Sequence, residues 1–381
     1  MIGQSVLNSV LENNLRGIFK SKNSKQAEYL RFDFIKEFLL RKDFNGFTSE
    51  DLFIMQFIKK GWGQDIATLS NMAESLVNLS IKNPHDKQYI SLIDEVVIRA
   101  LHPKVNPYRK DISKVNNFGK FGYFLEHLNI VLGSYQRIAG NKYIELNEKI
   151  SNHLLRMSMS YSNYHADLLP NANMKWSADQ AAIIYSLWLF DQNNSTNLSK
   201  EISDNWLQYM NDNCVHKSTG LYQTEVLGTK KYSKQPRGCS MAYLIHYMSR
   251  FNPGEAQKQW ILFKKHMLIQ VMRNTGFREY LEEYKGGWTP DSGPIIKGVG
   301  IAATGLALNA ASTVGDIKTY KKLSKGMEMV YNIIRRGNVI PGVNMVTKIG
   351  TDLLSSSIWL NAETKMKWYK KTNKHYLDIR S

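Results

Sequence analysis

Residues 123–158 read YFLEHLNIVLGSYQRIAGNKYIELNEKISNHLLRMS. Wound at 3.6 residues per turn, Leu125, Leu128, Val131, Leu132 and Tyr135 fall on one apolar stripe. AGNKY interrupts the stripe, because Gly and Asn end one helix and open the next. A second helical run follows, so this stretch predicts two helices folded back on each other.

The pattern recurs. VNLSIKNPHDKQYISLIDEVV breaks at Asn83-Pro84, YSLWLFDQNNSTNLSKEISDNWLQYM near Asn193, YLIHYMSRFNPGEAQKQWILFKKHML at Asn252-Pro253, and LNAASTVGDIKTYKKLSKGMEMV at Gly315-Asp316. With the break at Gly140, the interruptions at 83, 140, 193, 252 and 315 lie 53 to 63 residues apart. A constant period of this length is the mark of a helical array. In each pair the first helix is the more apolar and the second the more charged, as expected for an inner and an outer ring.

The segment VTKIGTDLLSSSIWLNAETKMKW, with help from the N-terminus, supplies a sixth pair. The predicted fold is all-α, an (α/α)6 toroid with short β-hairpins in its rim loops; an open solenoid is the alternative. The expected organisation is an N-terminal helical segment over 1–60 packed on a barrel at 61–370, then a tail at 371–381.

Long connections link each second helix to the next first helix, spanning 102–122, 159–179, 214–238 and 275–294. Loops of this length inside a domain commonly carry function, and here they gather at one rim. GLYQTEV (220–226) and TGFREYLEEY (275–284) read as short hairpins within them.

The composition is that of a globular chain: 381 residues, 43% hydrophobic and 22% charged, with a formal net charge of +17. That charge favours anionic ligands or an anionic membrane surface as partners. It is uneven, with 13 Lys or Arg against 5 Asp or Glu from Asp316 to Ser381. Cys214 and Cys239 are too few for a disulfide framework, and whether they pair is open.

The opening MIGQSVLNSVLENNLRGIFKSK lacks the apolar core and cleavage site of a secretory signal. That favours the cytoplasm, or the periplasm or exterior if the N-terminus has been trimmed. There is no Gly-rich phosphate loop, HExxH, GxSxG or paired CxxC, and no nucleic-acid module behind the positive charge.

Chemistry must then be assembled from rim loops and inner-helix starts. In MKWSADQ, Asp179 and Gln180 open an inner helix behind Trp176, an aromatic platform; the competing reading is a cap made by Ser177 and Asp179. In EHLN, His127 is the natural proton carrier near neutral pH, or else a satisfied core histidine. In QPRGCS, Arg237 can hold an anion in a fork.

Arg278, Glu279 and Asp291 share one rim loop, where two carboxylates are the minimum for acid/base work. The bland alternative there is an Arg278–Glu279 surface pair and a helix starting at Asp291 or Ser292 with Pro294 in its first turn. Tyr222 and Trp288 complete the rim aromatics expected against substrate.

GYFLEHLNIVLGSYQRIAGNKY, KWSADQAAIIYSLWLFD and DSGPIIKGVGIAATGLALNAASTVGD, in that order, resemble the linalool dehydratase/isomerase-like α/α-barrel proteins over roughly residues 60 to 340. The resemblance implies a barrel-mouth site, acid/base chemistry with no metal or organic cofactor, and oligomeric rings. It matches the family histidine to His127 and an acidic position to Asp179. Trp176 and Tyr185 stand where the family has cysteines, which moves the expected pocket from apolar to polar.

The function expected from the sequence is thus a lyase or isomerase acting on a polar or anionic small molecule, with Asp179, His127, Glu279 and Asp291 moving protons. Trp176, Gln180, Tyr222, Arg237, Arg278 and Trp288 would bind substrate. A glycan-active hydrolase, lyase or epimerase acting on a saccharide is the alternative enzyme. A non-catalytic scaffold for an acidic partner or membrane surface is the alternative outside enzymes.

Overall fold

The computed structural model describes residues 24–56, 63–227, 235–271, 274–284, 286–335 and 352–368. The expected tail, the opening segment before residue 24 and most of the basic excess after Asp316 lie outside the described residues.

Five helical hairpins follow one another: α2 (Gln64–Lys82) with α3 (Gln88–Leu101), α4 (Gly122–Ala139) with α5 (Ile144–Met159), and α6 (Ser177–Asn194) with α7 (Ser199–Asn213). Then come α8 (Gly238–Phe251) with α9 (Pro253–Met267), and α10 (Ile301–Thr313) with α11 (Ile317–Arg335). A sixth pair is made from the two ends of the described chain, α12 (Leu353–Thr364) inside and α1 (Ser24–Leu39) packed on it.

Helices α2, α4, α6, α8, α10 and α12 pack each on the next, and α12 packs back on α2. The ring is closed. The fold is an α/α toroid, and the open solenoid is excluded.

The turns sit where the breaks predict them. Asn252 ends α8 and at once caps α9, its side chain accepting from Glu255 N at 3.1 Å with Pro253 in the first turn. Asp191 ties the α6–α7 turn by accepting from Leu198 N and Ser199 N, both at 2.8 Å. Inner helices α6 and α12 are buried almost all round and show little hydrophobic patterning, whereas outer helices α3 and α11 alternate clearly. Close packing needs small residues: a Cβ on Gly133 of α4 would lie 2.8 Å from Leu189 Cδ2 of α6.

Ring closure is polar. Asn361 Nδ2 of α12 donates to Glu74 Oε2 of α2 at 2.7 Å and to Asn71 Oδ1 at 3.1 Å, while Asn309 Nδ2 of α10 reaches the same Asn71 oxygen at 3.3 Å. Tyr185 of α6 donates to Glu74 Oε1 at 2.7 Å. Burial alone would raise the Glu74 carboxyl, but Lys365 and His246 hold it well below the usual carboxylate range. Helix α1 is pinned to α12 by Arg31, whose Nε donates to Glu363 at 3.0 Å and whose guanidinium lies 3.9 Å from the Trp359 ring centre.

Among the described residues the rim loops carry three two-stranded ribbons: β1 (Lys175–Trp176) with β2 (Glu225–Leu227), β3 (Leu268–Val271) with β4 (Asn274–Phe277), and β5 (Ile295–Ile296) with β6 (Val299–Gly300). The predicted hairpins pair differently from expectation. β2, in the GLYQTEV stretch, joins the preceding rim loop, and β4 pairs with residues that continue straight out of α9. The stretch 286–300 also departs from prediction. The helix opens at Ile301 rather than at Asp291 or Ser292, because Lys297 (φ 48°) and Gly298 (φ 81°) turn the chain through a ribbon first.

Cys214 and Cys239 are both buried free thiols. Burial pushes the Cys239 thiol well up, so its place at the start of α8 does not activate it. No helix among the described residues is long and apolar enough to cross a membrane.

Candidate active site in the toroid mouth

A cavity of about 250 Å³ opens at the rim where the inner helices begin. Asp179 stands on its wall in the first turn of α6. It is not spent as a cap for Ser177. The Ser177 hydroxyl turns away to donate to Gln223 O at 2.7 Å, and Trp176, the residue before the helix, offers no side-chain cap. The rim ribbon β1–β2 sets this geometry and places the half-buried Trp176 on the same wall. Burial, and then the charge of Asp291, raise the Asp179 carboxyl to about 7.

Asp291 lines the cavity from the loop before β5. Its carboxyl is also raised by burial, but Arg237 pulls against that, with NH1 3.8 Å from Asp291 Oδ2. Arg237 is itself buried and held on three sides. Its Nε donates to Glu279 Oε1 at 2.9 Å, NH2 donates to Thr289 Oγ1 at 2.7 Å, and Tyr280 lies under the guanidinium. Glu279 also receives the Cys239 backbone N–H at 3.1 Å. It is a buried anchor behind Arg237, off the cavity wall. One guanidinium therefore serves two carboxylates, and among the described residues lining the cavity there is no further Lys or Arg for an anionic ligand.

His127 lies one layer deeper. Its Nδ1 is 2.7 Å from Ser70 Oγ, and that hydroxyl donates to Ala67 O. The ring thus carries its proton on Nδ1 and accepts at Nε2 from the Tyr243 hydroxyl, 2.9 Å away. Tyr243 also lies 3.3 Å from Glu126 Oε1 and shares its single proton between the two neighbours. Burial holds His127 neutral down to about 3, so the ring does not titrate near neutrality, and burial raises Glu126 well above the usual carboxylate range. Tyr243 is the member of this chain that reaches the cavity.

The other expected substrate-binding residues are employed elsewhere. Gln180 accepts from Ala166 N at 2.9 Å and bonds Ser158, holding a rim loop. The Tyr222 hydroxyl lies 2.9 Å from both Asn211 Oδ1 and Glu255 Oε1, in the outer layer, with its one proton between them. Arg278 pairs with Glu282 at 3.2 Å, and Trp288 is 47% exposed off the cavity wall. A rim position set by loop length does not say which way a side chain turns.

Residues the sequence did not single out complete the wall. Tyr123 packs edge-on against His127 at 5.0 Å and lines the same cavity as Asp179, and Asp352 caps α12 through Ser355 N at 2.9 Å with its carboxyl raised to about 7 by burial. Tyr123 sits one helical turn before His127, a spacing that could have found it. The pocket is also less polar than expected. Leu168, Leu169 and Met174 line one rim, and Ile301, Leu306, Leu354 and Ile358 line another.

No protein-family model matches the chain, and no curated protein does. Solved structures do. A glycoside hydrolase family 76 mannosidase from Bacteroides thetaiotaomicron VPI-5482 superposes with a TM-score of 0.55 at 9% identity, over 89% of this chain and 97% of that one. A protein from Listeria innocua gives a TM-score of 0.53 at 11% identity, over 88% and 95%. The GH76A α-1,6-mannanase from Salegentibacter sp. HEL1_6 gives 0.50 at 10% identity, over 78% and 88%. The likeness is one of fold. It agrees with the α/α-barrel part of the resemblance read from the sequence, and at these identities it transfers no residue.

Among the described residues, no group of three or more His, Cys, Asp or Glu is placed to hold a metal ion. Besides Asp352, which is held at the start of α12, the wall carries two carboxyl groups in unlike surroundings, one raised to about 7 and one beside a guanidinium, with Trp176, Tyr123 and Tyr243 around them. Such a pair separates an acid role from an anionic one.

Proposed function

We propose that this chain is a glycan-active hydrolase that cleaves a glycosidic bond in the toroid mouth. The observation that carries the proposal is the Asp179–Asp291 pair on one cavity wall, with carboxyls set apart by their surroundings. Asp179, protonated up to about pH 7, gives its proton to the leaving glycosidic oxygen. The Asp291 carboxylate supplies negative charge to the oxocarbenium-like carbon. Water then delivers its hydroxyl to that carbon and its remaining proton to a carboxylate, so one water is consumed per bond. Trp176 provides the flat face on which a sugar ring stacks, and Arg237 orients Asp291.

The fold neighbours described as a mannosidase and an α-1,6-mannanase support a glycoside as substrate and put mannosides first in the panel. The test is reducing-sugar release from mannan, mannooligosaccharides and nitrophenyl glycosides by wild type, Asp179→Asn and Asp291→Asn. Turnover by wild type, lost at least 1,000-fold in both variants and falling above about pH 7, is expected. Absence of any glycoside hydrolysis, or variants as active as wild type, refutes it.

The apolar lining favours a second reading, the linalool dehydratase-like one, in which the same carboxyl pair removes water from a small alkenol. Product mass separates the two, since that reaction releases water where hydrolysis consumes it.

A further inference from the structure

The cavity has two unlike arcs. Around the ring, α6 and α8 stand opposite α12 and α2, and the charged groups Asp179, Asp291 and Arg237 gather on the α6–α8 side. The arc built by α10 and α12 is mostly apolar: Ile301, Leu306, Leu354 and Ile358, with Met327 reaching in from the outer helix α11. Its carboxyl, Asp352, is engaged at the start of α12, accepting from Ser355 N at 2.9 Å and Phe53 N at 3.3 Å. Met327 can do so because α10 is made of small residues, IAATGLALNAAS, which leave gaps between the ring and the layer outside it. At Gly305 the opening is explicit, since a Cβ built there would meet nothing within 4 Å.

A sugar bristles with hydroxyls, and a hydroxyl laid on the aliphatic face of Ile301, Leu306 and Ile358 would lose its water partners without replacement. The arc suits a group with no polar atoms. We infer that the substrate is amphipathic: a glycoside whose sugar sits at Asp179 and Asp291 and whose aglycone is an apolar alkyl or aryl group lying along α10 and α12. This rests on the hydrolase reading and goes beyond it, because an all-sugar chain would leave the α10–α12 arc unused.

Methyl, butyl and octyl mannosides with the wild-type enzyme read the aglycone directly. Each methylene taken out of water contributes about fourfold, so kcat/KM should rise by at least tenfold from methyl to butyl. A Gly305→Ala, Gly305→Leu and Gly305→Phe series, each confirmed by an intact thermal transition, fills the arc stepwise. The chain-length gain should shrink in that order and vanish in Gly305→Phe. Independently of turnover, the fluorescence of N-phenyl-1-naphthylamine should rise on binding wild type, be displaced by octyl mannoside but not by mannose, and be lost in Gly305→Phe. Turnover with no dependence on chain length overturns the inference and leaves the hydrolase reading standing. No turnover of any glycoside overturns that reading instead, and naphthylamine binding unchanged in Gly305→Phe overturns the arc itself.

Discussion

Asp179→Asn should make the protein more stable while removing its activity, and the gain should depend on pH in a way the structure dictates. Asp179 is 4% exposed, and its carboxyl is raised from 3.8 to about 7, first by burial and then by Asp291. In the unfolded chain the same group ionises near its ordinary value. Below pH 3.8 both states hold the proton and the site costs nothing. As pH rises toward 7, the unfolded chain gains by ionising and the folded protein does not, so stability is lost across that window and then levels off. At 1.36 kcal/mol per tenfold, the loss is roughly 1.6 kcal/mol at pH 5 and roughly 4 kcal/mol at pH 8.5.

An amide of the same shape carries no such penalty. The advantage of Asp179→Asn should therefore grow by roughly 2 to 3 kcal/mol between those pH values, a difference of a few degrees in melting midpoint for a chain of this size. Thermal unfolding of both proteins at pH 3.5, 5 and 8.5, alongside glycoside turnover, measures it. An advantage independent of pH, or a variant less stable than wild type at pH 8.5, would show that Asp179 ionises freely and would remove the argument for it as the acid.

Three other perturbations probe the frame around the site. Arg237→Met strips the guanidinium from buried Glu279 and from Asp291, and should cost about 3–5 kcal/mol by denaturant unfolding, with part regained at low pH as Glu279 takes a proton. Gly238→Ala puts a Cβ 2.0 Å from Arg278 O and 2.8 Å from Ala303 Cβ, so the rim loop must shift; a loss of about 1–3 kcal/mol is expected, and an unchanged melting midpoint would contradict the packing. Tyr243→Phe leaves His127 Nε2 buried without its donor and should cost about 1–3 kcal/mol, read by the same unfolding assay.

The linear order of residues determined the toroid almost completely. Helical period, Gly and Asn-Pro breaks and their near-constant spacing are local signals, and they located Gly140, Asn252 and Gly315 at real turns. The inner and outer assignment followed from charge, because only one face of an outer helix meets the core. Closure was decided in three dimensions, by the meeting of α12 with α2 through Asn361, Asn71 and Glu74, whose partners lie far apart in the chain.

The candidate site divides in the same way. Asp179 and Asp291 were visible as carboxylates at inner-helix approaches, but only the packed rim shows that Ser177 bonds Gln223 rather than capping α6, and that the β5–β6 ribbon separates Asp291 from the start of α10. Gln180, Tyr222 and Arg278 look equally suitable in sequence and are consumed by partners that folding brings to them. The apolar arc could not be read at all, since small residues in α10 signal close packing and open space alike. Which of the two they give depends on what stands across the ring.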